Sequence, residues 1–575
     1  MTNPTYSNHV TNTCSCFEVC FDLVFTMFSA RFMQKFDRKS ILLFSEISLF
    51  RLERCMNYSL NDAPVITVPA YMKTKLKALK KKTELQKIEE IRKKSRGGNR
   101  SFPIIQCKRS EFNHYLGQIY DKYEAIALAS KGWKHRKSVG DYFTINGYGE
   151  NPSIYNENFD EENNFELLKL QQCILKKLKE LNFHNPTVIQ RLSIPKILEY
   201  KHVQISAETG SGKTIAYLAP ILHHLIELQK YQQAEIPSNC PLALILVPSK
   251  ELAEQIGNVA RQLSDVINVK VIVGGKFHQN KPDDFHSEII VSTIGIFEKL
   301  VNRRVYDLSY VRHIVIDEAD TLLDDSFNYT LKNFLKKVNI QVTVPTHPLE
   351  MTGAQLILCS ATFPRNIDEV LSTFIDVSYI ESVKTDHLHR LIPHIPQKFI
   401  RVKGSERTGP LVELVKKDLR KNDPVMIFCN KTCTNVWMSF FLNDLNVPNI
   451  CLNGEMELKE RDGQFRKFQN GECNVITCTD IASRGLDTIR VKHIINFDFP
   501  LHMSDYIHRI GRTGRLGSPK DSHVTNFICT PYNVDLVNSI ELAVRRCYVL
   551  PQVDANITGK FNVMYGDRLE TDINK

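Results

Sequence analysis

The stretch Val203-Gln204-Ile205-Ser206-Ala207-Glu208-Thr209-Gly210-Ser211-Gly212-Lys213-Thr214 decides how the chain is read. Residues 203–206 read as the end of a short buried strand. Residues 215–226 are mostly apolar, interrupted only by Pro220, and suit a helix. Strand, small-residue loop, helix is the context of a phosphate-binding P-loop. Gly210 and Gly212 let the backbone curl until its N–H groups point at phosphate oxygens. The helix N-terminus adds partial positive charge. Lys213 is placed to reach the β- and γ-phosphates of ATP, and the Thr214 hydroxyl to ligate Mg²⁺. The general pattern begins with Gly, and here that place holds Ala207.

From Phe165 onward, short β-rich runs alternate with helical patterns. Strands are expected at 243–247, 269–273, 289–292, 313–316 and 355–359. After a break at 384–396 a second series follows, at 425–428, 449–451, 475–477, 493–497 and 524–528. Such a series implies an α/β fold, with parallel sheets covered by helices on both faces. Two similar halves with a short joint imply two domains with a cleft between them.

One of these strands ends in acids, at Val315-Ile316-Asp317-Glu318-Ala319-Asp320. A carboxylate at the C-terminal edge of a parallel sheet faces the P-loop. Asp317 is placed to hold Mg²⁺ through water, and Glu318 to orient and deprotonate an attacking water.

With both motifs in view, the chain resembles the DEAD-box RNA helicases over about residues 165–545, and the motifs are specific. The resemblance implies two tandem RecA-like parallel-sheet domains of the superfamily-2 helicase type. It implies an RNA-stimulated ATPase using ATP and Mg²⁺. Residues 207–214 (Ala207, Glu208, Thr209, Gly210, Ser211, Gly212, Lys213 and Thr214) would bind the nucleotide. Pro186-Thr187-Val188-Ile189-Gln190 resembles the family's Q motif, so Thr187 and Gln190 would join them, Gln190 reading the adenine edge. Phe165 lies at the family's spacing for an aromatic that packs on adenine. Pro248-Ser249-Lys250-Glu251-Leu252 resembles motif Ia, with Lys250 where Arg is usual. With Gly274, Gly275 and Thr293 these imply an RNA contact through Pro248 and Lys250. Ser360-Ala361-Thr362 matches motif III, which couples the ATP site to the cleft. Residues 479–487 resemble motif V. By that resemblance Thr479 and Arg484 meet RNA, Asp480 the ribose, and Asp487 the first domain. His508-Arg509-Ile510-Gly511-Arg512-Thr513-Gly514-Arg515 is a complete motif VI. It implies that His508 couples the domains and that Arg512 and Arg515 are arginine fingers. Guanidinium groups from one domain would then neutralise charge on a γ-phosphate held by the other. Two positions depart from the pattern. Thr293-Ile294-Gly295-Ile296 lacks an expected Arg, and Leu458 stands where Gln is usual ahead of Arg461.

Ahead of the helicase core the text changes. Residues 71–110 are dense in Lys and Arg, including Lys80-Lys81-Lys82 and Arg92-Lys93-Lys94. Such a run is a solvated helix, or a phosphate-binding arm on a chain that handles RNA. Trp133, within Gly132-Trp133-Lys134-His135-Arg136-Lys137, either stacks on a base or anchors the arm. From Met33, apolar and basic residues recur at helical spacing up to Arg54. A mitochondrial presequence has this pattern, although Asp37, Glu46 and Glu53 are unusual in one. An ordinary surface helix is the other reading, and Met27 or Met33 is the expected start. The expected organisation is a targeting or upstream segment at 1–60, a basic arm at 61–160, an ATP-binding domain at 161–385, a C-terminal helicase domain at 386–550 and a loose tail at 551–575.

A narrower resemblance is to a mitochondrial branch of the family associated with large mitoribosomal subunit assembly. Ala129-Ser130-Lys131-Gly132-Trp133-Lys134, residues 320–327, residues 394–404 and Cys478-Thr479-Asp480-Ile481-Ala482-Ser483-Arg484-Gly485 carry it. It implies ribosomal RNA and ribosome-assembly proteins as partners in the mitochondrial matrix. A nuclear or nucleolar role, with residues 80–94 as the import signal, stays open. So does an ATP-gated RNA clamp that rarely unwinds a duplex. A DNA helicase or a P-loop ATPase without nucleic acid is disfavoured by the full motif set.

Composition agrees without deciding. The 575 residues carry 74 Lys+Arg against 64 Asp+Glu, a net charge of +10 that suits a polyanionic partner. The 15 cysteines are odd in number and scattered without CxxC pairs, which argues for a reducing compartment. Cys14, Cys16 and Cys20 cluster, but no fourth ligand follows at zinc spacing. No stretch is long and apolar enough to span a bilayer.

Overall fold

The computed structural model describes residues 102–120, 124–154, 164–231, 236–274, 287–323, 325–345, 348–363, 367–480, 486, 488–519 and 521–553. The expected targeting segment at 1–60, the basic run at 71–100, the cysteines Cys14, Cys16 and Cys20, and the tail from 554 lie outside the described residues. So do Gly275, Arg484 and Asp487.

Among the described residues, fifteen strands form two sheets. They are β1 (Ile104–Cys107), β2 (Tyr142–Asn146), β3 (His202–Ser206), β4 (Ala243–Val247), β5 (Val269–Ile272), β6 (Ile289–Thr293), β7 (His313–Asp317), β8 (Gln355–Ser360), β9 (Ile380–Lys384), β10 (Gln397–Arg401), β11 (Val425–Phe428), β12 (Ile450–Leu452), β13 (Val475–Cys478), β14 (His493–Asn496) and β15 (His523–Ile528). The first sheet runs β5-β6-β4-β7-β8-β3-β9, with every pairing parallel. Its centre is made of unbroken apolar runs: Ala243-Leu244-Ile245-Leu246-Val247 is buried at every position. A strand covered on both faces needs that composition. The second sheet runs β1-β2-β10-β15-β14-β11-β13-β12, and its six strands from β10 to β12 are parallel. The protein therefore has two RecA-like parallel-sheet lobes.

The helices that position the site are α1 (Val188–Leu198), α2 (Lys213–Tyr231), α3 (Lys250–Leu263), α4 (Leu458–Gln469), α5 (Met503–Ile510) and α6 (Pro531–Arg545). Pro220 lies inside α2 without ending it. No described helix is long and apolar enough to cross a membrane.

The arm expected at 61–160 is corrected in its second half. Residues 104–107 and 142–146 form β1 and β2, and β2 pairs antiparallel with β10. The physical reason is a short period-2 pattern: Phe143 and Ile145 are fully buried between Tyr142, Thr144 and Asn146, which are not. The Phe143 ring stacks on Phe399 at 4.7 Å and lies 5.5 Å from Trp133. Trp133 is 1% exposed. It anchors the turn, and its burial excludes stacking on a base.

Candidate functional site

The loop between β3 and α2 curls as its sequence demands. Gly210 and Gly212 take φ of +80° and +89°, which glycine adopts without strain. Ala207 is fully buried and is not among the left-handed residues, so a methyl is tolerated where the general pattern has Gly. Lys213 Nζ donates to the carbonyls of Ala207 and Glu208, at 2.8 Å each. Ser211 Oγ donates to Glu208 O at 2.8 Å. The Glu208 carboxylate turns to the interlobe joint, where it accepts from Thr385 Oγ1 at 2.9 and 3.0 Å.

Thr187 caps α1 in a reciprocal box: Gln190 Oε1 accepts from Thr187 N at 2.9 Å. The other end of the same amide donates to Gly212 O at 3.0 Å. A Cβ at Gly212 would lie 2.5 Å from Gln190 Nε2, so the loop packs on α1 without room for a side chain. Phe165 departs from expectation. It is 4% exposed within the first lobe's core and does not line the cavity; Phe183, 43% exposed, does.

β7 delivers its acids to the same place. Asp317 accepts from Tyr217 Oη at 2.9 Å and from Glu318 N at 2.8 Å. Burial, then the neighbouring Glu318 charge, pushes the Asp317 carboxyl up to about 6. Glu318 is left-handed, at φ 47°. Its Oε1 lies 3.9 Å from Arg512 Nη2, and its buried Oε2 has no hydrogen-bond partner among the described residues. Asp320 accepts from Thr362 Oγ1 at 2.6 Å and faces His508 Nε2 at 2.9 Å. Burial opposes ionisation of Asp320, but His508 and the hydroxyls of Thr362 and Ser360 outweigh it and hold the carboxyl below its usual range.

A cavity of about 1000 Å³ is lined from both lobes. Thr187, Gln190, Thr209, Gly210, Gly212, Lys213, Thr214, Asp317, Glu318, Ser360 and Ala361 line it from one side, and His508, Arg512 and Arg515 from the other. Ala207, Glu208, Ser211 and the fully buried Thr362 do not line it. Arg515 Nε donates to Gly511 O at 2.9 Å, and its stem packs on the P-loop, 2.7 Å from where a Gly210 Cβ would stand. Arg461 Nε donates to Glu251 Oε1 at 2.8 Å, tying α4 to α3.

Asp480 is the second departure. It is expected at the ribose, but both its oxygens are held by Arg509, at 2.6 and 2.7 Å, and it does not line the cavity. Arg509 is 1% exposed and also donates to Asn430 and Asn496. Arg509 and Tyr217 are site residues that sequence reasoning missed. Arg509 sits in the quoted motif VI, so its position was visible, but nothing in the pattern separates a buried brace from a finger.

The expected RNA residues gather at carboxyl strand ends. Pro248 follows β4, Gly274 follows β5, Thr293 ends β6 and Thr479 follows β13. Lys250 Nζ donates to Gly274 O at 2.8 Å. Thr479 Oγ1 is buried and has no hydrogen-bond partner among the described residues.

Comparison with known proteins agrees with this geometry. Residues 187–370 match the DEAD/DEAH box helicase family, and residues 407–517 match the helicase conserved C-terminal domain. The chain is 35% identical over 502 residues to the mouse protein named "Probable ATP-dependent RNA helicase DDX28", covering 82% of this chain and 91% of that one. It is 34% identical to the human protein of that name, over 79% of this chain and 86% of the relative. In fold it is similar to S. cerevisiae Dbp5 bound to RNA and ADP BeF3, with a TM-score of 0.55 at 23% identity, over 70% of this chain and 99% of that one. The chain belongs to the DEAD-box family and is an ATP-binding, RNA-binding, ATP-dependent RNA helicase.

Proposed function

We propose that ATP held by the first lobe is hydrolysed when the second lobe brings Arg512 and Arg515 to its γ-phosphate. The observation that carries this reading is one cavity holding Lys213 and Glu318 from one lobe and both arginines from the other. Anionic phosphate oxygens compete well for the Lys213 ammonium against two neutral carbonyls. Gln190 reads the adenine edge while its other end fixes the loop. Thr214 and Asp317 fit a Mg²⁺ ion: burial and the Glu318 charge disfavour the Asp317 carboxylate, and a cation held beside it would offset both. That ion, when bound, would neutralise charge on the β- and γ-oxygens. Glu318 then takes the proton of the attacking water while the Arg512 guanidinium stands beside it. Asp320, Thr362 and His508 link the acids to lobe closure. RNA lies across both lobes on Pro248, Lys250, Gly274, Thr293 and Thr479, contacted through phosphate and 2′-OH groups with little sequence reading. The replacement Glu318→Gln is expected to keep ATP affinity and lose about 10²–10⁴ in RNA-stimulated turnover. Near-normal turnover would remove Glu318 as the base.

The cellular reading is a role in mitochondrial large ribosomal subunit assembly, with ribosomal RNA as substrate. It is supported by the likeness at residues 129–134, 320–327, 394–404 and 478–485, and by the basic–apolar pattern from Met33. Crosslinking RNA to the tagged full chain in fractionated cells tests it. Large-subunit ribosomal RNA recovered from the mitochondrial fraction is expected; recovery confined to nuclear RNA would reject it.

A further inference from the structure

We propose that the turn at residues 131–137, built onto the second lobe by the N-terminal extension, is an additional RNA-phosphate surface that lengthens the RNA track beyond Thr479. The inference rests on the reading of Thr479 as an RNA contact.

Topology places the turn. Because β2 runs antiparallel to β10, with Tyr142 opposite Ile400 and Ile145 opposite Gln397, the residues ahead of Tyr142 lie at the carboxyl edge of the parallel strands. Thr479 follows β13 at that same edge, and the loop carrying Lys431 follows β11. From β13 the strand order is β11, β14, β15, β10, β2. Five spacings of about 4.8 Å make roughly 24 Å. Tyr532 opens α6 between the two ends. It is 50% exposed, with its hydroxyl 3.2 Å from Leu501 O, so its ring offers a face for a base to stack on.

The turn is rigid. Trp133 is buried against Phe143, and its carbonyl accepts from Arg401 Nε at 2.8 Å. Just upstream, the N–H groups of Ala129 and Ser130 donate to Glu541, a fully buried carboxylate, at 2.8 and 2.9 Å. On this fixed backbone Lys131, Arg136 and Lys137 are exposed and make no ion pair among the described residues. The neighbouring carboxylates are already engaged: Asp535 by Lys134, and Asp141 by Lys108 and Arg109. A turn that serves only solubility needs no buried tryptophan and no buried glutamate to hold it. Cations fixed without partners are suited to an incoming polyanion, because no internal pair has to be broken first.

The test uses the full chain and single-stranded uridine oligomers of about 6 and about 20 nucleotides, with binding measured across a salt series. Replacing Lys131, Arg136 and Lys137 together by Gln is expected to weaken the long oligomer roughly 10- to 50-fold near 0.15 M salt and to reduce the slope of log affinity against log salt by about 2. The short oligomer should bind the variant as it binds the parent. An unchanged long-oligomer affinity and slope would overturn the proposal and leave the surface to another partner, such as an acidic protein. Equal weakening of both lengths would overturn it as well. Failure of the parent protein to bind the short oligomer would instead strike the Thr479 reading.

Discussion

A glutamate at φ 47° and ψ 50° occupies the left-handed region, which costs an L-residue about 1–2 kcal/mol. Glu318 bears that cost at the end of β7, where the turn sets its Oε1 toward Arg512. Strain of this kind persists where the surroundings over-determine it. Here the surroundings are the buried Asp317 and the short helical turn Ala319–Leu322. The opposite end of the same strand holds a different buried group. Burial pushes the His313 imidazole down to about 4, against a bond to Gln355 that favours its charged form. Its ring stacks 5.1 Å from His224, itself held well below the ordinary value by burial and then by His313. The folded chain therefore keeps His313 neutral where the unfolded chain takes up a proton. Its contribution is full above about 6.5 and is lost as pH falls towards about 4. The loss at the lower end is about 3 kcal/mol. Urea unfolding across that range should show stability falling with pH, and His313→Gln should flatten the slope. A slope of equal steepness in the variant would contradict the assignment.

At the level of strands and helices, the parallel core was legible in the sequence. The apolar runs at 243–247 and 425–428 became β4 and β11 with those bounds, and 355–359 became β8 one residue longer. Buried parallel strands announce themselves because both faces need apolar side chains. The strands outside that apolar core announce themselves less. β9 and β10 flank the joint expected at 384–396, and β1 and β2 lay inside a stretch dominated by cations. Each of these four strands buries at most alternate residues, and five residues of alternation are a weak signal beside a charge run. The P-loop, the acids after β7 and the arginines after α5 were legible because each chemistry allows few residue types. The placement of Phe165 was not legible. Spacing sets an aromatic near the site, but packing decided that it fills the core while Phe183 faces the cavity. Nor did the sequence show that a buried guanidinium, that of Arg509, holds both Asp480 oxygens.

The two lobes meet through chemistry that also surrounds the cavity. Asp320 and His508 face each other, Arg461 holds Glu251, and Thr209 of the P-loop lies against Gly511, where an added Cβ would stand 1.5 Å from its hydroxyl. Closure and catalysis therefore share residues, and ATP affinity alone does not report on both. The most direct test is ATP turnover under saturating RNA for Arg512→Gln, measured beside ATP affinity. The account predicts turnover lower by about 10³ or more with affinity within about threefold, because the guanidinium acts on charge that develops only during phosphoryl transfer. Turnover within about threefold of the parent would contradict it, since the second lobe would then supply no charge to the reaction.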